Sequence, residues 1–142
     1  MGYFKDLREH IAALEEAGLL VKIEEQINKD TELMPLVRWQ FRGLSEDDRR
    51  AFMFANVTDV KGKKYDIPVV VGTLAASRQI YGFGLQCKPE EIVDRWNKAQ
   101  SHPISPKIVD DAVVHEEVHR GSSLTEKGGL GEFPIPISTP GY

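Results

Sequence analysis

The stretch FKDLREHIAALEEAGLLVKI, residues 4–23, changes its hydrophobic period at a single glycine. Before Gly18, apolar side chains recur three, four and three residues apart, which is the spacing of one stripe on a helix. These side chains are Phe4, Leu7, Ile11 and Leu14. After Gly18, Leu19, Val21 and Ile23 alternate with Leu20, Lys22 and Glu24, a period of two that is typical of a strand with a more polar outer face. Because glycine readily adopts the left-handed conformation that ends many helices, the stretch predicts a helix that leads directly into a strand.

A second helix and two strands are predicted further along the chain. Asp30 or Thr31 can cap this helix, and Pro35 is tolerated in its first turn, where backbone N–H groups lack partners. Its predicted buried stripe consists of Leu33, Leu36, Val37 and Phe41, and the helix ends at Gly43. The charged residues 45–50 are interpreted as a solvated loop or a short helical turn. The strands are residues 51–57 (AFMFANV) and 67–72 (IPVVVG), joined by a turn at residues 59–62, and the second is expected to be buried on both faces.

Two more helices follow these strands. Ser77 can cap a short third helix from Arg78, and Pro89, followed by two glutamates, opens a fourth. The predicted buried face of the fourth helix consists of Ile92, Trp96 and Ala99. Residues 107–120 become strand-like again, because the β-branched Val113, Val114 and Val118 favour extended backbone. The order of elements predicts an α/β (α+β) fold with a small mixed sheet covered by helices, followed by an extended Gly/Pro-rich tail that contains a strand.

Charges and helix-breaking residues divide the chain into a body, residues 1–104, and a tail, residues 105–142. The body carries 15 basic and 16 acidic side chains and the tail carries 3 and 6, so most of the net charge of -4 comes from the tail. Five Gly and three Pro within residues 121–142 are too many for a regular element of any length. We expect the body to be an N-terminal α/β domain and the tail to be an entry strand and linker.

Composition excludes several classes of partner. A chain of 142 residues that is 41% hydrophobic and 28% charged can build one core, and it shows no basic patch that would bind nucleic acid. No apolar run approaches the roughly 20 residues needed to cross a bilayer. Residues 1–5 (MGYFK) show no signal-peptide pattern, and the single Cys87 cannot form an internal disulfide. We therefore expect a cytoplasmic protein that binds neither nucleic acid nor membrane.

The sequence HEEVH, residues 115–119, fits the HExxH pattern of zinc proteases. That chemistry needs His115 and His119 on one face of a helix, so that both bind one zinc ion, with Glu116 as the base on the bound water. β-Branched residues precede the motif, Gly121 follows it closely, and no third histidine comes later. If the segment is a strand, the two histidines share a face with Glu117 while Glu116 lies on the other, and the geometry fails. An ordinary polar strand face is the preferred interpretation.

The other histidines and the cysteine form no catalytic set. His10 and His102 have no evident partner in the sequence and are predicted to lie on the surface. Cys87 has Lys88 beside it but no base placed by sequence, so it is interpreted as an inert or packed thiol.

The glycines and tryptophans have structural interpretations. Gly82 and Gly84 lack the third glycine of a dinucleotide-binding fingerprint and are interpreted as a helix exit. Trp39 and Trp96 lie at helical spacing from apolar neighbours and are interpreted as core or interface anchors. We therefore assign no catalytic, cofactor-binding or metal-binding residue to this chain.

Four segments, taken in order, carry a resemblance to a known family. They are residues 4–23, residues 52–57 (FMFANV), residues 67–72 together with Ala76, Ser77 and Arg78, and residues 133–136 (FPIP). The ordered set covers the chain and resembles the N-terminal part of the UbiD family of prenylated-flavin-dependent decarboxylases and carboxylases. The FPIP segment is similar to the proline pair through which that family enters its flavin-binding domain.

The resemblance implies a longer enzyme. Its prenylated FMN, its divalent metal, usually manganese, and its catalytic residues would all come from sequence after the proline pair, so no position here inherits their roles. This chain would be the N-terminal, lid-like domain of a UbiD-like enzyme that acts on an aromatic or conjugated carboxylic acid, and it would be inactive alone. Its partner would be a missing C-terminal flavin-binding domain, and the full-length enzyme would form a homo-oligomer.

Two other interpretations stay open. The chain could be a stand-alone accessory subunit that docks through Trp39 or Trp96 and pairs its tail with the sheet edge of a partner. It could also be a small zinc hydrolase that uses His115, Glu116 and His119.

Overall fold

The computed structural model describes residues 3–126 and 129–137. The helices and strands, in chain order, are α1 Leu7–Glu16, β1 Leu20–Asn28, α2 Leu33–Gly43, β2 Ala51–Thr58, β3 Lys64–Tyr65, β4 Val69–Val71, α3 Arg78–Leu85, α4 Ile92–Ser101 and α5 Ser122–Glu126. Short 3-10 turns lie at Glu46–Asp48, Pro89–Glu91, Val113–His115 and Gly129–Glu132. No helix in the described part of the chain is long and apolar enough to cross a membrane.

The strands form one mixed sheet with β2 at its centre. β1 runs parallel to β2, from Leu20 beside Ala51 to Asn28 beside Thr58, and its register shifts after Ile23. On the other side of β2, β4 and β3 run antiparallel to it, β4 beside its first half and β3 beside its end. Among the described residues, β1 is therefore an edge strand.

Helices cover both faces of this sheet. Successive side chains of a strand point to opposite faces, and in β2 they divide between two hydrophobic clusters. Ala51 and Met53 pack with residues of α1 and α3, among them Leu14 and Ile80. On the other face, β2 packs against α2 through Phe52 and Phe54, and the α2 residues of that cluster are Leu33, Met34, Leu36 and Val37. The predicted fold class, a small mixed sheet covered by helices, is confirmed.

Helix α1 begins and ends as its capping residues dictate. The Asp6 side chain accepts a hydrogen bond of 2.9 Å from the Glu9 N–H at its start, and Gly18 follows its end with a left-handed φ of +68°, which confirms that prediction. The buried stripe differs from the predicted one. Leu14 is buried as expected, but Leu7 is half exposed and Phe4 lies before the helix.

The predicted burial of two strands is only partly correct. Leu19 and Leu20 are both buried and Val21 is exposed, because the Leu19 N–H still bonds to the Leu14 carbonyl at 2.8 Å and Leu19 therefore belongs to the helix exit. Burial along β1 does not follow the predicted alternation, because Val21 and Lys22 are both exposed after the buried Leu20. In β4 only Val69 is buried, so the expectation of burial on both faces is wrong for a strand at the edge of the sheet.

Helix α2 ends at Gly43 as predicted, but its buried face is rotated. Phe41 is exposed, contrary to prediction, and Gln40 is buried in its place. The Gln40 side-chain amide donates to the Arg50 carbonyl and accepts from the Arg50 N–H, both at 3.1 Å, so its nitrogen and its oxygen each have a partner. These two bonds fasten α2 to the residue that precedes β2.

Helix α3 follows its prediction and α4 does not. Ser77 caps α3 by accepting from the Ile80 N–H at 3.2 Å, which confirms its predicted role. No residue of α4 is buried, so the predicted buried face of Ile92, Trp96 and Ala99 is wrong. Because α4 packs against α3 and contributes to neither cluster, its apolar residues stay largely in contact with water.

The tail after α4 contains no strand within residues 103–126. Where a strand was predicted within residues 107–120, Val113–His115 instead form a 3-10 turn. A strand needs a neighbour for its backbone groups, and no strand of the described sheet pairs with this segment. Its exposed apolar side chains are Ile104, Ile108, Val109, Val113, Val114 and Val118.

Two glycines of α3 give a matched test of packing. Both Gly82 and Gly84 lie inside the helix, which corrects their interpretation as a helix exit; the exit is Gln86. A Cβ on Gly82 would lie 2.7 Å from the Cys87 carbonyl oxygen, whereas one on Gly84 would meet only the His10 ring, at 3.8 Å.

We expect Gly82→Ala to lower the free energy of unfolding by about 1–3 kcal/mol, the usual effect of overpacking. Gly84→Ala should raise it by up to about 1 kcal/mol, because alanine is the better helix former. Urea denaturation measures both values, and equal effects of the two substitutions would contradict the packing of α3 described above.

Candidate functional site

The HEEVH motif lies on neither a helix nor a strand. His115 closes a 3-10 turn, and His119 pairs with Glu117, with 3.4 Å between Nε2 and Oε2. Glu116 is exposed. Within residues 3–126 and 129–137, no three His, Cys, Asp or Glu side chains are grouped so as to hold a metal ion. The described residues therefore do not fit a zinc or a manganese ion.

His10 is buried, so the prediction of a surface position is wrong. Its Nε2 lies 2.8 Å from the Thr73 carbonyl oxygen, and this nitrogen carries the proton because a carbonyl can only accept. The ring packs against Phe4 and Phe83, and its buried Nδ1 has no hydrogen-bond partner among the described residues. His10 thus joins α1 to the loop after β4. His102, at the end of α4, is exposed as predicted.

Neither tryptophan is a core residue. Trp39 is 69% exposed and Trp96 is 47% exposed, so the core interpretation is wrong and the interface interpretation stays a prediction. Cys87 is partly buried beside an open groove of about 1060 Å³ between α1, α3 and the start of α4. In the part of the chain that the structure describes, no hydrogen bond joins the Cys87 thiol to a basic side chain, and its interpretation as an inert or packed thiol stays a prediction.

The carboxyl ends of β1 and β2 carry a polar cluster, here called the junction. It consists of Lys29, Asp30, Asp59, Lys63 and Tyr65. Because β1 and β2 are parallel, their carboxyl ends meet at one edge of the sheet, which is where open α/β sheets commonly place functional groups.

The ion pair between Lys29 and Asp30 lies at the base of the junction. Both side chains are about nine-tenths covered. The second Asp30 oxygen accepts a hydrogen bond of 3.1 Å from the Val60 N–H, so Asp30 joins the loop after β1 to the turn after β2. The prediction that Asp30 or Thr31 caps α2 is therefore wrong, and Glu32 occupies that position without a side-chain cap.

Asp59 organises the turn between β2 and β3. Its Oδ1 accepts from the N–H groups of Lys61 and Lys63, each at 2.9 Å, and its Oδ2 lies 3.3 Å from the Tyr65 hydroxyl. The turn closes through Gly62, whose φ of +81° favours glycine. The Lys63 ammonium lies 5.0 Å from the centroid of the Tyr65 ring, within the range of a cation–π contact.

The end of the tail lies on this junction. The Lys63 ammonium donates to the Gly131 carbonyl at 2.8 Å and lies 3.5 Å from the Glu132 carboxylate. Farther on, Pro134 is buried and the Ile137 N–H donates to the Lys29 carbonyl at 3.3 Å. The segment with the predicted proline pair thus crosses the carboxyl ends of the parallel strands.

The charges of the junction stabilise one another. The hydrogen bond from Lys29 holds the pKa of Asp30 below its usual value, and the Val60 N–H acts in the same direction. The same bond to Asp30 raises the pKa of Lys29. Burial acts to raise the pKa of Asp59, but the N–H groups of Lys63 and Lys61 outweigh it and the net pKa is lowered.

The arrangement of the junction is suited to holding segments of the chain together rather than to catalysis. The two carboxylates accept N–H groups, and each ammonium contacts a carboxylate or a carbonyl, so these groups are engaged within the protein. Sequence reasoning missed the junction, because Lys29 and Asp59 become neighbours only once the parallel pairing of β1 and β2 is known. The one sequence feature that could have indicated the junction was the predicted turn at residues 59–62.

Residues 11–100 match the UbiD N-terminal-domain family, described as the 3-octaprenyl-4-hydroxybenzoate carboxy-lyase N-terminal domain. The chain belongs to this family. The resemblance seen in the sequence is therefore confirmed. In this UbiD N-terminal domain the matched residues run from within α1 to the last turn of α4, so they include the whole sheet and both hydrophobic clusters.

Solved structures of UbiD-class enzymes resemble this UbiD N-terminal domain. The enzyme HmfF from Pelotomaculum thermopropionicum, in complex with FMN, matches with a TM-score of 0.72 and 25% identity over 95% of this chain and 27% of that enzyme chain. An evolved dimeric form of HmfF, in complex with prFMN, matches at 0.67 and 22% over 97% and 29%. The vanillic acid decarboxylase of Sedimentibacter hydroxybenzoicus, in open form, matches at 0.57 and 23% over 76% and 22%. This chain thus spans less than a third of each of these three enzyme chains.

The lowered pKa of Asp30 predicts acid sensitivity of the junction. Its stabilising contribution is present above about pH 4, the pKa of an unpaired Asp, and is lost as the pH falls through the lower folded-state pKa. Between about pH 5 and pH 2 the free energy of unfolding should therefore fall more steeply for the wild type than for Asp30→Asn. Urea denaturation across this range measures the slopes. Asp94→Asn removes an exposed carboxylate of α4 as a control, and identical slopes for the two variants would contradict the role of Asp30.

Proposed function

We propose that this chain is the N-terminal, lid-like domain of a UbiD-class decarboxylase or carboxylase, and that it lies against a flavin-binding region of the same enzyme. The observation that carries the proposal is the family match over residues 11–100, together with the likeness to HmfF over 95% of the chain. Because that likeness covers 27% of the HmfF chain, most of such an enzyme would lie outside these residues.

The uncovered apolar side chains of the tail support this proposal. Ile108, Val113 and Val114 are each more than four-fifths exposed, as is Ile104 at the last position of the body. Removing apolar surface from water contributes about 25 cal/mol per Å², so a partner surface over these residues is favoured. We propose that residues 1–104 form the N-terminal domain. Residues 105–142 would form the linker to the flavin-binding region and would become an entry strand only on pairing with the sheet of that region.

The proposed reaction is the loss or gain of CO2 by an aromatic or conjugated carboxylic acid. The carbon–carbon chemistry belongs to prenylated FMN and a manganese ion, and we propose that both are held outside the described residues, which form no metal-ligand set. The part of this domain is to cover the bound acid and to exclude water from it.

The proposal also includes a cytoplasmic location and a homo-oligomeric enzyme. The single cysteine, Cys87, can form no internal disulfide, which agrees with a reducing compartment. An evolved form of the related HmfF is dimeric, which agrees with assembly of the intact enzyme.

If the tail helps to close the flavin site, the intact enzyme carrying Val113→Ser and Val114→Ser should lose at least about tenfold in turnover of an aromatic acid, equivalent to about 1.4 kcal/mol. The bound flavin should also become more accessible to iodide, because water reaches the site. Turnover is measured as CO2 release, and accessibility as iodide quenching of flavin fluorescence.

Leu74→Ser is the control, since it removes another exposed apolar side chain from the loop after β4, outside the tail. Equal quenching in the wild type and the tail variant would contradict the lid-like role. Retention of prenylated FMN or manganese by residues 1–142 alone, measured after gel filtration, would contradict the placement of both cofactors elsewhere.

A further inference from the structure

The tail touches the body in an uneven way. None of the described residues 103–126 is buried, whereas residues 131–137 make two hydrogen bonds and one ion pair to the junction and bury Pro134. The described tail is therefore attached where α4 ends and again at the carboxyl ends of β1 and β2, with an exposed segment between the two points.

We propose that Lys63 is the positioning residue that fixes the second attachment point. Its ammonium is shared between the Gly131 carbonyl and the Glu132 carboxylate, so one side chain contacts two successive residues of the tail. A contact of this kind sets both the position and the direction of the chain that follows. The geometry makes Lys63 a latch between the N-terminal domain and its tail.

Contacts within the body restrict Lys63 independently of the tail. Its backbone N–H is bonded to the Asp59 carboxylate, and its carbonyl accepts from the Asp59 N–H at 3.1 Å. Its ammonium lies over the Tyr65 ring, and Tyr65 is fixed by pairing with Val57 in the sheet and by its contact with Asp59. Because the turn and the ring already restrict this side chain, docking the tail costs little additional side-chain entropy.

The neighbouring lysine provides a matched control. Lys64 is exposed and lies in β3 beside Thr58, one residue from the latch, and no tail contact of its side chain is formed in the described structure. Lys63→Met and Lys64→Met each remove one positive charge from the same hairpin, but only the first removes the donor to Gly131 and Glu132.

The first experiment is amide hydrogen exchange on the 142-residue chain. We expect Lys63→Met to speed exchange of the Ile137 amide about fivefold, the scale of a partly exposed charged contact, with Lys64→Met close to the wild type. The Phe54 amide, in the central strand, reports that the fold is intact. Lys63→Arg should restore slow exchange, because a guanidinium can donate to the same two acceptors. Equal exchange in Lys63→Met and Lys64→Met would overturn the proposal.

A further variant separates the two contacts of the latch. Glu132→Gln leaves the Gly131 carbonyl in place, so its effect on Ile137 exchange should be smaller than that of Lys63→Met. A Glu132→Gln effect as large as that of Lys63→Met, with Lys63→Arg failing to rescue, would also overturn the proposal, because it would assign the attachment to Glu132 alone.

The consequence for catalysis rests on the proposed function and is tested separately in the intact enzyme. A mispositioned tail should raise KM for the acid about threefold or more with a smaller change in kcat, and Lys63→Arg should reverse this. Faster exchange with unchanged kinetics would leave the latch standing and would count against the lid-like role. Altered kinetics with unchanged Ile137 exchange would overturn the latch and leave the lid-like role intact.

Discussion

The parallel pairing of β1 with β2 is the interaction on which the rest of the structure depends. Parallel neighbours need a crossover connection, and residues 29–50, with α2, provide it. The pairing brings the carboxyl ends of both strands to one edge, so that Lys29 and Asp59 lie in one cluster although they are 30 residues apart in sequence. The central strand of this pairing, β2, also supplies side chains to both hydrophobic clusters. The core and the junction therefore both depend on the position of β2.

Helix ends that are set by nearby capping residues could be predicted from the sequence, whereas the burial of side chains against other elements could not. Gly18 and Ser77 act on backbone groups within a few residues, so the end of α1 and the start of α3 follow from the sequence itself. The burial of His10 depends instead on Thr73 and Phe83, which reach α1 only in the folded chain. A hydrophobic stripe indicates the side of a helix that faces one neighbour, but α1 has a second neighbour in α3. The predicted inner face of α4 is exposed because the helix packs against α3 and contributes to neither hydrophobic cluster.

The junction shows a different limit of sequence reasoning. Its residues are ordinary turn and loop residues in the sequence, and their common position depends on strand pairing over a long range. The ordered segments that resemble the UbiD family were sufficient to identify the family, because such segments preserve local patterns. They carried no information about the contact between Lys63 and the returning tail. The predicted strand of residues 107–120 is not formed within the described residues for a related reason, since a strand needs a second segment with which its backbone groups can pair.

The free edge of β1 has a bearing on how this domain behaves at high concentration. Lys22, Glu24 and Glu25 are exposed along it, and the register shift after Ile23 interrupts its regular ladder. The β1 strand of a second molecule would meet irregularly spaced backbone N–H and C=O groups, and its charged side chains would lie beside those of the first molecule. Edge-to-edge pairing of β1 with strands of other molecules, which would lead to fibrils, is therefore disfavoured at the longest edge strand of the described sheet.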